Sequence, residues 1–188
     1  MEQGHSDIVL CVNRPSESEF RHEFRDLSNV RFSVSEEPKG TISELLNAKG
    51  MIGSAAFGLQ YGDDLTEVDY NALIKFHESN NAFVTLAATT MYRLPVGVIE
   101  ADGDGRVTAF VEKPFLGKPS WNASAVFDAE AVSYFRAGED MSLNVLPRML
   151  ADGRRIFAFR VDSPWFDVGD FSAWSRADRH YRELERVR

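Results

Sequence analysis

An α/β fold with a mixed sheet is what the 188-residue sequence predicts. Short, continuous apolar runs bounded by polar residues read as strands buried between layers. They alternate with segments of helical period, the pattern that places helices against a largely parallel sheet. A repeated Asp-Gly between two alternating stretches then inserts one antiparallel hairpin into that order.

The first run, residues 7–13, carries Ile8 to Val12 without interruption and predicts a strand buried on both faces. Residues 16–26 follow as an amphipathic helix, opened by Pro15-Ser16 and spaced by Phe20 and Phe24 at i, i+4. In residues 29–34, Val30, Phe32 and Val34 alternate with polar residues, so a half-buried strand is expected. A helix over 41–49, a Gly/Ala-rich buried strand over 53–61, a helix over 68–79 and a strand over 82–90 continue the alternation. Residues 96–100 and 107–112 flank Asp102-Gly103-Asp104-Gly105 and predict the hairpin. The twelfth position counted from Asp102 is Lys113, where a calcium loop would need a bidentate Glu, so the segment reads as hairpin only. An apolar stretch over 123–127, helices over 129–136 and 141–151, a strand over 155–161 and a closing helix from Phe171 complete the chain. In that last helix Phe171, Trp174 and Tyr181 form an apolar stripe opposite Arg176, Arg179, Arg182, Arg186 and Arg188. No internal repeat or linker divides the sequence, so residues 1–188 read as a single domain.

Composition narrows the function. A net charge of −8 argues against a general nucleic-acid binder, which presents a basic surface, but leaves anionic small substrates open through local cations or a divalent metal. The apolar runs fall far short of the roughly 18 residues that a membrane span needs. The first seven residues lack the pattern of a secretory signal, and a single cysteine, Cys11, suits a reducing setting; both lead to a cytoplasmic expectation. His5, His22, His77 and His180 have no metal-ligand spacing.

Two acidic segments stand out. Tyr61-Gly62-Asp63-Asp64 lies where an apolar run ends, the place where open α/β sheets bind ligands, so its carboxylates could hold a divalent cation against phosphates. Asp63 or Asp64 could equally cap the following helix. In Trp165-Phe166-Asp167-Val168-Gly169-Asp170, Asp167 sits between bulky apolar residues and would want a cation, or it is a turn residue beside a capping Asp170. Val111-Glu112-Lys113-Pro114 ends a strand with an acid and a base, which alone is a surface ion pair. Glu37-Pro38-Lys39-Gly40-Thr41 leads from strand to helix, where backbone N–H groups could meet a base or a phosphate.

The order of these segments, with Gly97-Val98-Ile99-Glu100 before the hairpin turn and Trp121-Asn122 after Glu112-Lys113-Pro114, resembles the sugar-phosphate nucleotidyltransferase family from about Asp7 to Tyr181. The family includes mannose-1-phosphate guanylyltransferases and glucose-1-phosphate thymidylyl- and uridylyltransferases. The resemblance implies a Rossmann-like mixed sheet of the nucleotide-diphospho-sugar transferase type and the condensation of a nucleoside triphosphate with a sugar 1-phosphate, giving an NDP-sugar and pyrophosphate. It implies that Asp63 and Asp167 hold Mg2+ and that Glu112 accepts sugar hydroxyls. Lys113 would contact the sugar phosphate, Gly97 would leave room at the sugar, Asn122 would touch it, Gly62 would line the substrate, and Gly40 and Thr41 would lie near the nucleobase. Asp63, Asp167 and Lys113 would be the catalytic set. Trp121-Asn122-Ala123-Ser124 departs from the family's run, with Ser124 where Gly is expected, and Trp121-Asn122 leans toward guanylyl transfer.

The sequence contains no Gly-Gly-x-Gly-Thr-Arg-Leu phosphate loop. By the resemblance, a first strand, loop and helix of about 30–50 residues are missing, and with them cations for the triphosphate. Little or no transferase activity is then expected of the chain alone. A late start, a short form that borrows the strand from another copy, and a non-catalytic sugar-nucleotide-binding or regulatory homologue all stay open.

Overall fold

The structure, a computed structural model, describes residues 7–186. His5 and Arg188, named above, lie outside the described residues. Contacts divide the chain into two compact units. One comprises residues 1–58, 70–84 and 126–157; the other comprises 59–69, 85–125 and 158–188.

In the first unit, β1 (Ile8–Asn13) pairs in parallel with β2 (Val30–Ser35), Ile8 opposite Val30 through Asn13 opposite Ser35. The expected burial on both faces of β1 is not found: Val12 is buried, its neighbours are half-buried and Cys11 is exposed. Among the described residues β1 has β2 as its only strand neighbour, so its other edge lacks a sheet to cover it. Between the two strands the Asn13 side chain accepts from Ser16 N across a short 3-10 turn, and α1 (Glu17–Glu23) begins after that turn. The helix buries no residue; Phe20 and Phe24 stack on each other with centroids 6.2 Å apart instead of entering a core.

After β2, α2 (Thr41–Asn47) starts at Gly40, whose φ of 87° belongs to the left-handed region that glycine adopts without a Cβ penalty. Asn47 ties the helix to β2 through Ser33 Oγ and Val34 O, both at 3.1 Å. The core of this unit gathers Ile42, Leu73, Val84, Val126, Phe127, Met141, Val145 and Met149. α3 (Tyr70–Ser79) contributes Leu73. The expected helix over 129–136 is a 3-10 segment, Ala129–Tyr134, and the expected helix over 141–151 opens as a π-helical turn, Met141–Val145, before α4 (Leu146–Ala151). Asp140 Oδ1 accepts from both Ser142 N and Leu143 N, and Pro147, which has no N–H to donate to the preceding turn, follows the π-helical turn in the first turn of α4.

A four-stranded sheet in the order β3-β8-β5-β9 uses β3 (Phe57–Gln60), β8 (Ser120–Phe127), β5 (Val84–Thr89) and β9 (Ile156–Arg160), and each strand has residues in both units. The strand expected over 53–61 is confined to its last residues, because Gly53 to Ala56 are exposed.

The second unit adds two small antiparallel ladders. One joins β4 (Asp64–Thr66) to β10 (Trp165–Asp167), neither of which the sequence predicts as a strand. The other is the hairpin of β6 (Gly97–Ala101) and β7 (Val107–Glu112). Its turn is closed by Asp102, whose Oδ1 accepts from Asp104 N at 3.1 Å and Arg106 N at 2.9 Å. The closing helix α5 (Phe171–Glu185) is capped by Asp170 Oδ1 on Ala173 N at 2.7 Å. Its buried face is Ala173 and Ala177, with Tyr181 half-buried; Phe171 and Trp174, expected in that stripe, stack on one another at the surface. Among the described residues no helix is long and apolar enough to cross a membrane.

Candidate functional site

In the second unit, the register of β4 with β10 places Asp64 opposite Asp167, and Val168 N donates to Asp63 O at 2.8 Å. Asp63 and Asp64 therefore meet Asp167, about a hundred residues further along the chain, at one end of a two-stranded ladder. Neither Asp63 nor Asp64 caps α3, because β4 and three further residues intervene before that helix. Asp167 ends a strand and is not a turn residue, whereas Asp170 does cap α5.

The three carboxylates have different surroundings. Asp63 and Asp167 are exposed, and among the described residues no side-chain hydrogen bond or ion pair engages either. Asp64 is buried and accepts from Trp165 Nε1. Burial pushes the Asp64 carboxyl above the ordinary carboxylate range, the Trp165 N–H pulls it back, and the charges of Asp63 and Asp167 raise it further. A folded-state pKa above the unfolded one means that the native chain binds the proton more tightly. Stability from this group is thus fully present below the unfolded value and is lost as pH rises through the folded one. Asp64→Asn keeps an acceptor for Trp165 and is expected to raise the thermal midpoint at pH 7 relative to wild type, with the difference vanishing in acid; unfolding scans across pH check it.

The loop that presents Asp63 is fixed from below. Gln60 Nε2 donates to Tyr61 O at 3.1 Å and Asp64 O at 2.9 Å, while Gln60 Oε1 accepts from Ser124 Oγ at 2.6 Å. Tyr61 N donates to Ala123 O at 3.2 Å, and the Tyr61 ring packs edge-on against Trp121. Ser124, the departure from the family's run, therefore supports the acidic loop. Asn122 is fully buried: its Nδ2 donates to Thr66 Oγ1 at 3.1 Å and its Oδ1 accepts from Ser124 N at 3.3 Å, tying β8 to β4. Gln60 and Thr66 are polar supports that nothing in the sequence singles out beyond their proximity to the acidic motifs, whereas Ser124 and Trp165 stand out there only as a departure from the family's run and as part of an acidic segment.

The hairpin carries Gly97, Glu112 and Lys113. Gly97 faces Glu112 across the ladder, and a Cβ there would lie 2.6 Å from Phe110 Cζ and 3.0 Å from Glu112 Oε2. The room left by the missing side chain is thus filled by the Phe110 ring, an aromatic covering a strand glycine from the diagonal position. Gly97→Ala must push that ring and the Glu112 carboxylate aside. Because Phe110 is exposed and can swing away, the stability cost is expected to be about 1 kcal/mol or less, measurable by urea unfolding. Lys113 Nζ lies 3.8 Å from Glu112 Oε1, both side chains well exposed.

Gly40 and Thr41 belong to the first unit, at the start of α2. There Ser43 Oγ donates to Lys39 O and accepts from Gly138 N, both at 3.0 Å, and Glu44 Oε1 accepts from Lys39 N at 3.4 Å. A Cβ on Gly40 or Gly62 would meet nothing within 4 Å.

Residues 1–183 match the family model described as Nucleotidyl transferase. Over 153 residues the chain is 30% identical to valienol-1-phosphate guanylyltransferase of Streptomyces hygroscopicus subsp. limoneus, a match covering 74% of this chain and 40% of that protein. Over 161 residues it is 30% identical to mannose-1-phosphate guanylyltransferase of Mycobacterium tuberculosis, covering 80% of this chain and 45% of that protein. The chain thus spans less than half the length of these two relatives. Among solved structures, HddC from Yersinia pseudotuberculosis matches with a TM-score of 0.72 at 21% identity, over 96% of this chain and 80% of that chain. The same protein solved with GMP-PN matches at 0.71 and 22% identity, over the same shares. These structures share the Rossmann-like fold, which agrees with the mixed α/β order of the chain.

Proposed function

The chain belongs to the nucleotidyl transferase family, and on that premise we propose that it is one nucleotidyltransferase-like domain carrying the metal and sugar-phosphate side of a site that joins a nucleoside triphosphate to a sugar 1-phosphate. The observation that supports this reading most is the meeting of Asp64 and Asp167 on adjacent strands, with Asp63 in the turn just before Asp64, in the same unit as Glu112 and Lys113. In the reaction a sugar-phosphate oxygen attacks the α-phosphorus in line, a new P–O bond forms, the bond to the β-phosphate breaks and pyrophosphate leaves. Positioning and charge neutralisation supply the catalysis.

Asp63 and Asp167 fit Mg2+ through the chemistry of their donor set. They are two exposed carboxylates without a cationic partner among the described residues, and Mg2+ is commonly held by one or two carboxylates together with substrate phosphates. Among the described residues no group of three His, Cys, Asp or Glu could hold a metal. Asp63 and Asp167 would hold the ion, which would supply neutralisation of phosphate charge. Lys113 would set its ammonium against the sugar phosphate, and Glu112 would accept from sugar hydroxyls. Gly97 and Phe110 would form the floor beneath them, and Asn122 would stand behind the sugar, holding β4 through Thr66. Gly62 would give the substrate an open backbone, and Gly40 with Thr41 would receive the base. Trp121-Asn122 leans toward guanine as the base. The free thiol of Cys11 suits a cytoplasmic setting.

A pyrophosphate-release assay with several nucleoside triphosphates and sugar 1-phosphates tests the reading. Turnover that Asp63→Ala abolishes supports it. The second reading is a sugar-nucleotide-binding homologue without turnover. It predicts calorimetric binding of a nucleotide sugar with no pyrophosphate released. Turnover that is indifferent to Asp63→Ala overturns the assignment of the site.

A further inference from the structure

Successive side chains of a β-strand point to opposite faces, so Glu112, the last residue of β7, and Lys113 after it would diverge if the strand continued. Their charged ends are instead 3.8 Å apart. The backbone accounts for it: Lys113 has φ of 49°, the left-handed region, which turns the chain after Glu112. For a residue with a Cβ that conformation is unfavourable and persists only where the surroundings enforce it.

The enforcement comes from residues 92–96. Lys113 N donates to Val96 O at 3.2 Å, Leu94 N to Pro114 O at 2.9 Å and Leu116 N to Tyr92 O at 2.9 Å, with an antiparallel bridge between Arg93 and Phe115. These bonds hold the chain on both sides of Lys113. The carbonyl of Lys113 is held by a side chain: Arg93 Nη1 donates to Lys113 O at 3.2 Å. The guanidinium is itself oriented, its Cζ lying 4.0 Å over the Phe115 ring. An arginine stacked on an aromatic face loses less freedom on making such a bond than an unsupported side chain would.

We propose that Arg93 is a positioning residue for sugar 1-phosphate: by holding the carbonyl of left-handed Lys113 it keeps the Glu112 acceptor and the Lys113 ammonium side by side, so that one ligand can meet a hydroxyl acceptor and a phosphate cation at once. The inference rests on the sugar-phosphate role given above to Glu112 and Lys113. It adds a residue that need not touch the substrate.

Calorimetric titration of the full chain in Mg2+ with glucose 1-phosphate and mannose 1-phosphate, and separately with GTP and UTP, tests it. Arg93→Ala is expected to weaken the better-bound sugar 1-phosphate about tenfold. Nucleotide affinity should stay unchanged and the thermal midpoint should stay within about 2 °C of wild type. Arg93→Lys, which can still donate to the carbonyl, should recover most of the loss. Lys113→Ala separates the two claims. If Lys113→Ala weakens sugar 1-phosphate and Arg93→Ala does not, the positioning role is overturned and the sugar-phosphate site stands. If Lys113→Ala has no effect, or the wild-type chain binds neither sugar 1-phosphate, the reading beneath it falls and the inference with it. A loss in Arg93→Ala that extends equally to nucleotides and lowers the midpoint marks a merely structural residue and also overturns the proposal.

Discussion

Asp167→Asn is expected to lower the Mg2+-supported affinity for a nucleotide sugar, and any turnover, by about a hundredfold or more, while leaving the fold as stable as before or slightly more so. The two effects have one origin. Asp167 is paired through its backbone with Asp64, its side chain has no cationic partner among the described residues, and its charge helps to raise the Asp64 carboxyl. Removing that charge relieves repulsion in the empty protein and removes attraction in the loaded one. The backbone bonds of the β4–β10 ladder do not involve the carboxylate, so geometry is preserved. Calorimetry with GDP-mannose and UDP-glucose reads the affinity, and a thermal melt reads the stability. Asp162→Asn, at a surface pair with Arg160, serves as the control and should change neither. A variant that loses affinity only because it unfolds would give the opposite sign in the melt.

The second large effect concerns the fold. Phe127→Ala should cost about 3–5 kcal/mol, a large part of the roughly 5–15 kcal/mol that holds a domain together. The ring is fully buried in the first unit, stacked with Phe57 at 5.6 Å between centroids and set edge-on to Phe135 at 6.0 Å, so its removal leaves a cavity that two other rings cannot readily fill. Phe110→Ala makes the contrast: its ring is 64% exposed, and its loss should change stability by no more than about 0.5 kcal/mol. Urea unfolding of the two variants side by side checks the difference, which is a statement about burial at equal side-chain size.

These residues also show what the sequence made legible. Continuous apolar runs located the strands around Val84 and Val126, and the repeated Asp-Gly located the hairpin, because burial and turn chemistry are local signals. The α/β order followed from their alternation. The three-residue strands β4 and β10 were missed because neither has a period of its own; each exists through pairing with a segment a hundred residues away. The same non-local pairing decided between the two meanings of Asp63 and Asp64, since a strand stands where a cap was the alternative. Phe20, Phe24, Phe171 and Trp174 misled in the other direction: helical spacing marked them as buried stripes, yet they satisfy one another at the surface. Asp63, Asp167, Glu112 and Lys113 could be named as candidates from residue type and order. Gln60, Ser124 and Arg93, which hold them, could not, because a polar support is defined only by the atom it reaches.

Dependence on the metal is the most direct test of the account. GDP-mannose and UDP-glucose are titrated into the full chain in Mg2+ and again in EDTA, with Asp63→Ala as a parallel sample. Binding in Mg2+ is expected to be lost in EDTA and to be absent from Asp63→Ala under both conditions. Binding of equal strength with and without the metal, or retained by Asp63→Ala, would contradict it.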